Sequence, residues 1–191
     1  MSKITRNFKL FLIGIATLFI AACGNNNADQ YASYTGEQLN HRNQYIDHLK
    51  LMEINLMKSD EINDSAARHA IKVYADYAMF FPNDSLSANY LFKAGSIATG
   101  SKKYKQALIQ YQTITSKYPN FKYVMESLYL QGFLLDNFMN DDAGAKLIYE
   151  KVIAKYPNTN CSKDAQLAIK NFGKTDEQLI EEFKIKNRSK K

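Results

Sequence analysis

His41 and His48, with Asp47 beside the second, are the first residues in this 191-residue chain whose types invite chemistry. Seven residues bring side chains back to one face of a helix, so the pair could hold a metal ion between them. A closed zinc site takes four ligands, however, and one stray carboxylate does not supply the rest. The pattern therefore favours surface histidines on an amphipathic helix. His69 adjoins Ala70 and reads as a packing or boundary residue. The carboxylates Asp60, Glu61 and Asp64 lack the glycine and the terminal glutamate of a calcium loop. They read as a charge cluster at a helix start. Cys161 is the remaining nucleophile, and no histidine lies near it in sequence, so a small residue at a helix interface is its favoured role. There is no serine elbow, paired metal-type histidine motif or phosphate loop. The expectation is a chain that is no enzyme and takes no cofactor, no metal and no small-molecule substrate. The competing reading is an envelope enzyme or substrate-binding accessory working through Cys161 or the His41/His48 face. A histidine beside a groove-located Cys161 would favour it.

What must position these side chains is a set of repeated helices. Ala107 to Pro119 reads ALIQYQTITSKYP, recurs as Ala145 to Pro157 (AKLIYEKVIAKYP), and appears more weakly as Ala70 to Pro82 (AIKVYADYAMFFP). Alanine, tyrosine four residues on (Tyr74, Tyr111, Tyr149) and proline twelve residues on keep their offsets, and the prolines lie 37 and 38 residues apart. Such a period signals stacked supersecondary units. A small alanine lets a neighbouring helix come close, and the aromatic one turn later fills the gap. Proline turns the preceding residue away from the α region, so these helices should end near Phe81, Tyr118 and Tyr156. Gly95 and Gly132 each follow the preceding proline by thirteen residues, inside the first helix of a hairpin. Glycine there costs ~1 kcal/mol against alanine and should mark a close helix crossing.

Gly95 with Ala107, Tyr111 and Pro119 resembles the tetratricopeptide repeat, whose small, large, small and proline positions recur over about 34 residues. Leu91 or Leu128 stands at the tryptophan position, and the resemblance covers roughly residues 40–172. It implies an all-α, tetratricopeptide-like helical-hairpin solenoid of about three and a half repeats in a right-handed superhelix. Composition agrees: 46% hydrophobic residues, 13 Tyr, 11 Phe, and only 3 Pro and 8 Gly suit a helical domain and oppose disorder.

Residues 1–22 stand apart from that domain. Lys3, Arg6 and Lys9 precede an apolar run from Leu10 to Ala22 that is short for a membrane span. The run ends Ile20-Ala21-Ala22-Cys23, which resembles the lipobox of bacterial lipoprotein signal peptides. The resemblance implies cleavage after Ala22 and a diacylglycerol on the Cys23 thiol, an anchor of several acyl chains. Cys161 is then left without a disulfide partner. Gly24 rather than aspartate after the cysteine implies sorting to the outer membrane. Residues 23–35 read as the lipidated cysteine and a polar tether reaching roughly 20 Å. The tether lacks a dense acidic cluster, which favours the periplasmic face. Without Lys3, Arg6 and Lys9 the chain carries 22 basic and 19 acidic residues, net +3. With the signs interspersed, no nucleic-acid partner is expected.

Residues 36–188 form the repeat domain in this reading, and 189–191 end a basic tail. The apolar residues Ile46, Leu49, Met52 and Leu56 share one helix face. Ser59 or Asp60 is the expected cap of the next helix, where Ile62, Ala66, Ala70, Val73, Tyr77 and Phe80 trace the buried face. Asp84 or Ser85 should open the third helix, with Gly100-Ser101 closing it. Asn140, Asp141 and Asp142 should start the Ala145 helix. Asn160 should cap the one after, and Thr175-x-x-Gln178 should box the last.

In tetratricopeptide repeats the first helices line a concave face. The resemblance therefore implies partner-binding positions at Asn89, Phe92, Ser96 and Thr99, then Glu126, Tyr129, Phe133, Asp136 and Asn137. Aromatics beside amides and acids suit a peptide groove, while packing against the next unit is the other reading of Phe92, Tyr129 and Phe133. The implied work is non-catalytic: a scaffold or adaptor lipid-anchored in the outer membrane, facing the periplasm, whose partner is an envelope protein or peptide. Tyr-Pro-ended repeats in lipoproteins also resemble the BamD-like subunit of the β-barrel assembly machine and the repeat domain of the Tol-Pal coordinator.

Overall fold

Proline sets the helix ends. In the computed structural model, which describes residues 35–58 and 62–188, the residues before Pro82, Pro119 and Pro157 share one backbone geometry. Phe81 takes φ −125°, ψ 59°, Tyr118 −127°, 61° and Tyr156 −130°, 57°. Each still donates its N–H to the carbonyl four residues back, Tyr77, Ile114 and Val152, at 2.9 Å. The pyrrolidine ring excludes the α region for its predecessor, and the helix stops there.

Among the described residues every regular element is a helix: α1 Gly36–Met57, α2 Asp64–Phe80, α3 Ser87–Gly100, α4 Tyr104–Lys117, α5 Val124–Phe138, α6 Asp142–Lys155, α7 Asn160–Asn171 and α8 Asp176–Arg188. The chain divides into two compact units between Ser101 and Lys102. The expectations for residues 1–34, Ser59, Asp60, Glu61 and 189–191 lie outside the described residues.

In the first unit α2 packs against α1 and more extensively against α3. Thr35 starts α1 with a reciprocal box: its N–H donates to Gln38 Oε1 at 2.9 Å, and its hydroxyl accepts from the Gln38 N–H at 3.3 Å. Leu49 and Met52 of α1 are buried against the apolar face of α2, which is Ala67, Ala70, Ile71, Tyr74, Tyr77 and Ala78. Tyr90 of α3 lies 5.4 Å from the Tyr74 ring and 4.7 Å from the Tyr77 ring. A buried ion pair crosses the unit, Arg42 on α1 with Asp84 before α3. Asp84 Oδ1 also accepts from the Leu86 N–H at 2.8 Å, so one carboxylate neutralises the guanidinium and satisfies an N–H at the opening of α3.

Several sequence expectations shift here. Asn63, not Ser59 or Asp60, caps α2 by accepting from the Ala66 N–H, so Ile62 precedes the helix and is exposed. Phe81 replaces Phe80 as the buried aromatic at the end of α2. The N-cap of α3 is Leu86. Thr159, not Asn160, caps α7, accepting from the Ser162 N–H at 3.2 Å.

In the second unit α4, α5, α6 and α7 pack each on the next, and α5 also touches α7. The repeat alanines Ala107 and Ala145 are fully buried, and Tyr111 and Tyr149 are at most 1% exposed. Ile114 and Val152, seven residues after each alanine, complete the same stripe at 0%. Gly132 explains its own presence, because a Cβ built there would stand 2.7 Å from Cε1 of Tyr149. The α5–α6 turn runs through Asn140 with φ 53°, a left-handed conformation asparagine tolerates. Lys102 occupies the corresponding position after Gly100-Ser101, with φ 60°. Thr175 and Gln178 form the expected box before α8.

Candidate functional site

On α5 the residues Glu126, Tyr129, Phe133, Asp136 and Asn137 follow one another by three, four, three and one positions, which is one face of a helix. The first four are half-buried and Asn137 is exposed. The Tyr129 and Phe133 rings lie 6.4 Å apart at 28°, and Phe133 meets Phe138 edge-on at 5.7 Å. Tyr129 also packs on the cluster of Ala145, Tyr149, Val152 and Ala165, with its ring 5.7 Å from that of Tyr149. It is therefore both rim and core. Asn137 uses its amide on its own helix, donating to the Phe133 carbonyl at 3.1 Å.

The face is acidic. Tyr149 donates its hydroxyl to Asp136 Oδ2 at 3.2 Å. Burial holds the Asp136 carboxyl above the usual aspartate range; the Tyr149 hydroxyl opposes this and the Asp142 charge adds to it. The Tyr129 hydroxyl is pushed up to about 12, by burial first and then by Asp164, Cys161 and Asp136. Glu126 Oε2 is shut off from solvent and makes no hydrogen bond. Asp164 and Cys161 arrive on α7, three residues apart and hence on one side of that helix. Sequence reasoning missed Asp164, although its i, i+3 spacing to Cys161 was visible.

Cys161 is half-buried, and its thiol is pushed up to about 11 by burial, Glu126 and Asp164. A thiol held protonated at neutral pH by burial and neighbouring carboxylates is a poor nucleophile. Its contribution here is packing against the Tyr149 cluster.

The α3 positions stand differently. Phe92, Ser96 and Thr99 are 5%, 7% and 5% exposed. Ser96 donates to the Phe92 carbonyl at 3.0 Å and Thr99 to the Gly95 carbonyl at 2.9 Å, so both hydroxyls serve their own helix. Of the four positions expected to face a partner on α3, only Asn89 is more than marginally accessible.

The histidines pair across helices rather than along one. The His48 ring lies 6.0 Å from that of His69 at 89°, beside a cleft of about 340 Å³ between α1 and α2 lined by Leu51, Met52, Leu56 and Ile62 among others. His41 instead sits 5.6 Å from Phe81 and 6.2 Å from Phe80. Among the described residues no group of three or more His, Cys, Asp or Glu side chains is placed to hold a metal ion.

Two lysines of the second unit lie on another side. Lys151 and Lys155 border a hollow of about 540 Å³ with Thr115, Ser116, Val124 and Leu128. Val124 and Leu128 face away from Tyr129 and Phe133 on α5 by helical spacing.

A tetratricopeptide repeat family model matches residues 126–159, which take in most of α5, its turn, α6 and the loop up to Thr159, the cap of α7. Comparison with curated proteins gives no match.

Proposed function

We propose that this chain is a non-catalytic adaptor that captures a segment of another protein on the α5 face of its second unit. The matched repeat is of a kind that serves protein–protein interaction as a scaffold. The observation that carries the proposal is that this same repeat bears the half-exposed Tyr129/Phe133 strip edged by Glu126, Asp136 and Asn137. Aromatic side chains flanked by polar groups supply binding energy when a partner removes them from water. The partner is an envelope protein in this reading, because Ile20-Ala21-Ala22-Cys23 supports a lipid anchor and Gly24 supports the outer membrane. A BamD-like accessory role in β-barrel assembly is the narrower version.

Two experiments test it. Cys23→Ser should yield a soluble or uncleaved product on membrane fractionation; mature, membrane-bound protein would remove the anchor. Phe133→Ala with Asn137→Ala should weaken partner capture from detergent extracts while leaving the melting temperature nearly unchanged. Tyr129→Ala is the poorer probe, since a core-packed aromatic costs ~3–5 kcal/mol on truncation. A collapse of melting in the Phe133/Asn137 variant would return these residues to the core.

A further inference from the structure

The α5 face joins an aromatic strip to carboxylates that lack cations. Among the described residues no lysine, arginine or histidine nitrogen pairs with Glu126, Asp136 or Asp164, whereas Lys174 and Glu182 of the same unit do pair, at 2.6 Å. Glu126 Oε2 is shielded from solvent without a hydrogen bond, a position that costs free energy unless a donor arrives. Glu126 on α5 and Asp164 on α7 both act on the Cys161 thiol, and Asp164 acts on the Tyr129 hydroxyl too. Asp136 stands ten residues along α5 from Glu126. This happens in a chain that keeps a net charge of +3 without Lys3, Arg6 and Lys9, so the face runs against the average of its own protein.

We infer that the segment docking on this face carries a lysine or arginine beside an apolar side chain. The inference rests on the α5 face being the docking face and names what it selects. The cation would meet Glu126 and Asp164. The apolar neighbour would cover Phe133. An acidic segment is rejected by like charge, which is how complementary potentials set specificity. The occupant is a segment of a different protein; a second copy of this chain is the competitor, because Lys151 and Lys155 provide cations on an exposed side.

The test uses the full chain in detergent and three fluorescent dodecapeptide sets sharing leucine and tyrosine anchors, with lysine, glutamine or glutamate at the remaining charged positions. Glu126→Gln with Asp164→Asn removes the charge and keeps the shape, and circular dichroism melting verifies the fold. Expected are binding of the lysine set alone, weakening by about tenfold in the double variant, and loss in high salt. Equal binding of the glutamine or glutamate set, or no loss in the double variant, would overturn the cation and leave the docking face standing. Binding of no set would overturn the docking face itself. Salt-sensitive self-association abolished by the double variant would assign the cation to a second copy and overturn the separate partner.

Discussion

At the scale of single residues, Asp136 shows how a carboxylate can be kept at a cost to the fold. Burial raises its pKa, against the pull of the Tyr149 hydroxyl. A carboxyl that holds its proton more tightly folded than unfolded stabilises the fold while protonated and penalises it once ionised. Its contribution is full below the unfolded aspartate value of ~3.9 and is lost as pH rises through the higher folded value. Asp136→Asn keeps an acceptor for Tyr149 and removes the charge. The variant should therefore melt above the wild type at neutral pH, with the gap closing on acidification. Thermal melts across pH check this, and a gap that is absent at neutral pH or grows in acid would contradict it.

At the scale of elements, the fit between Gly132 on α5 and Tyr149 on α6 fixes how closely the two helices pack. Gly132→Ala gains about 1 kcal/mol of helix propensity but drives a methyl into the tyrosine ring at an overpacking cost of ~1–3 kcal/mol, so a net loss of up to about 2 kcal/mol is expected. In a Tyr149→Leu background the same change should be neutral or stabilising. Chemical denaturation of the four proteins measures the coupling, and an equal effect in both backgrounds would mean the two residues do not meet. This part of the fold was legible. Alanine, tyrosine and proline at fixed offsets predicted the second helices, and Ala107, Tyr111, Ala145 and Tyr149 are buried as their spacing requires. Helix starts were less legible, because Asn63, Thr159 and the residues around them offer several side chains of equal capping chemistry. Arg42 escaped notice since its partner Asp84 lies 42 residues away, beyond any local pattern. The α3 positions Phe92, Ser96 and Thr99 looked accessible because register alone says which way a side chain points, not what closes over it. Asp164 was missed for the converse reason: its spacing to Cys161 was visible, but an exposed acid on a short helix says nothing of the α5 face until α7 is set beside α5.

At the scale of the whole molecule, the basic composition conceals an uneven distribution. Lys151 and Lys155 border one hollow of the second unit, whereas Glu126, Asp136 and Asp164 edge the Tyr129/Phe133 strip. Among the described residues no helix is long and apolar enough to cross a membrane, so the proposed attachment rests on Cys23, outside them. The central claim is that the α5 face, rather than the outward side of α6, meets the partner. Site-specific photocrosslinking in cells tests it most directly, with the photoreactive residue placed in turn at two exposed positions, Asn137 on α5 and Leu147 on α6. The prediction is a discrete adduct from Asn137 that is lost with Phe133→Ala, and none from Leu147. An adduct from Leu147 with none from Asn137 would contradict it.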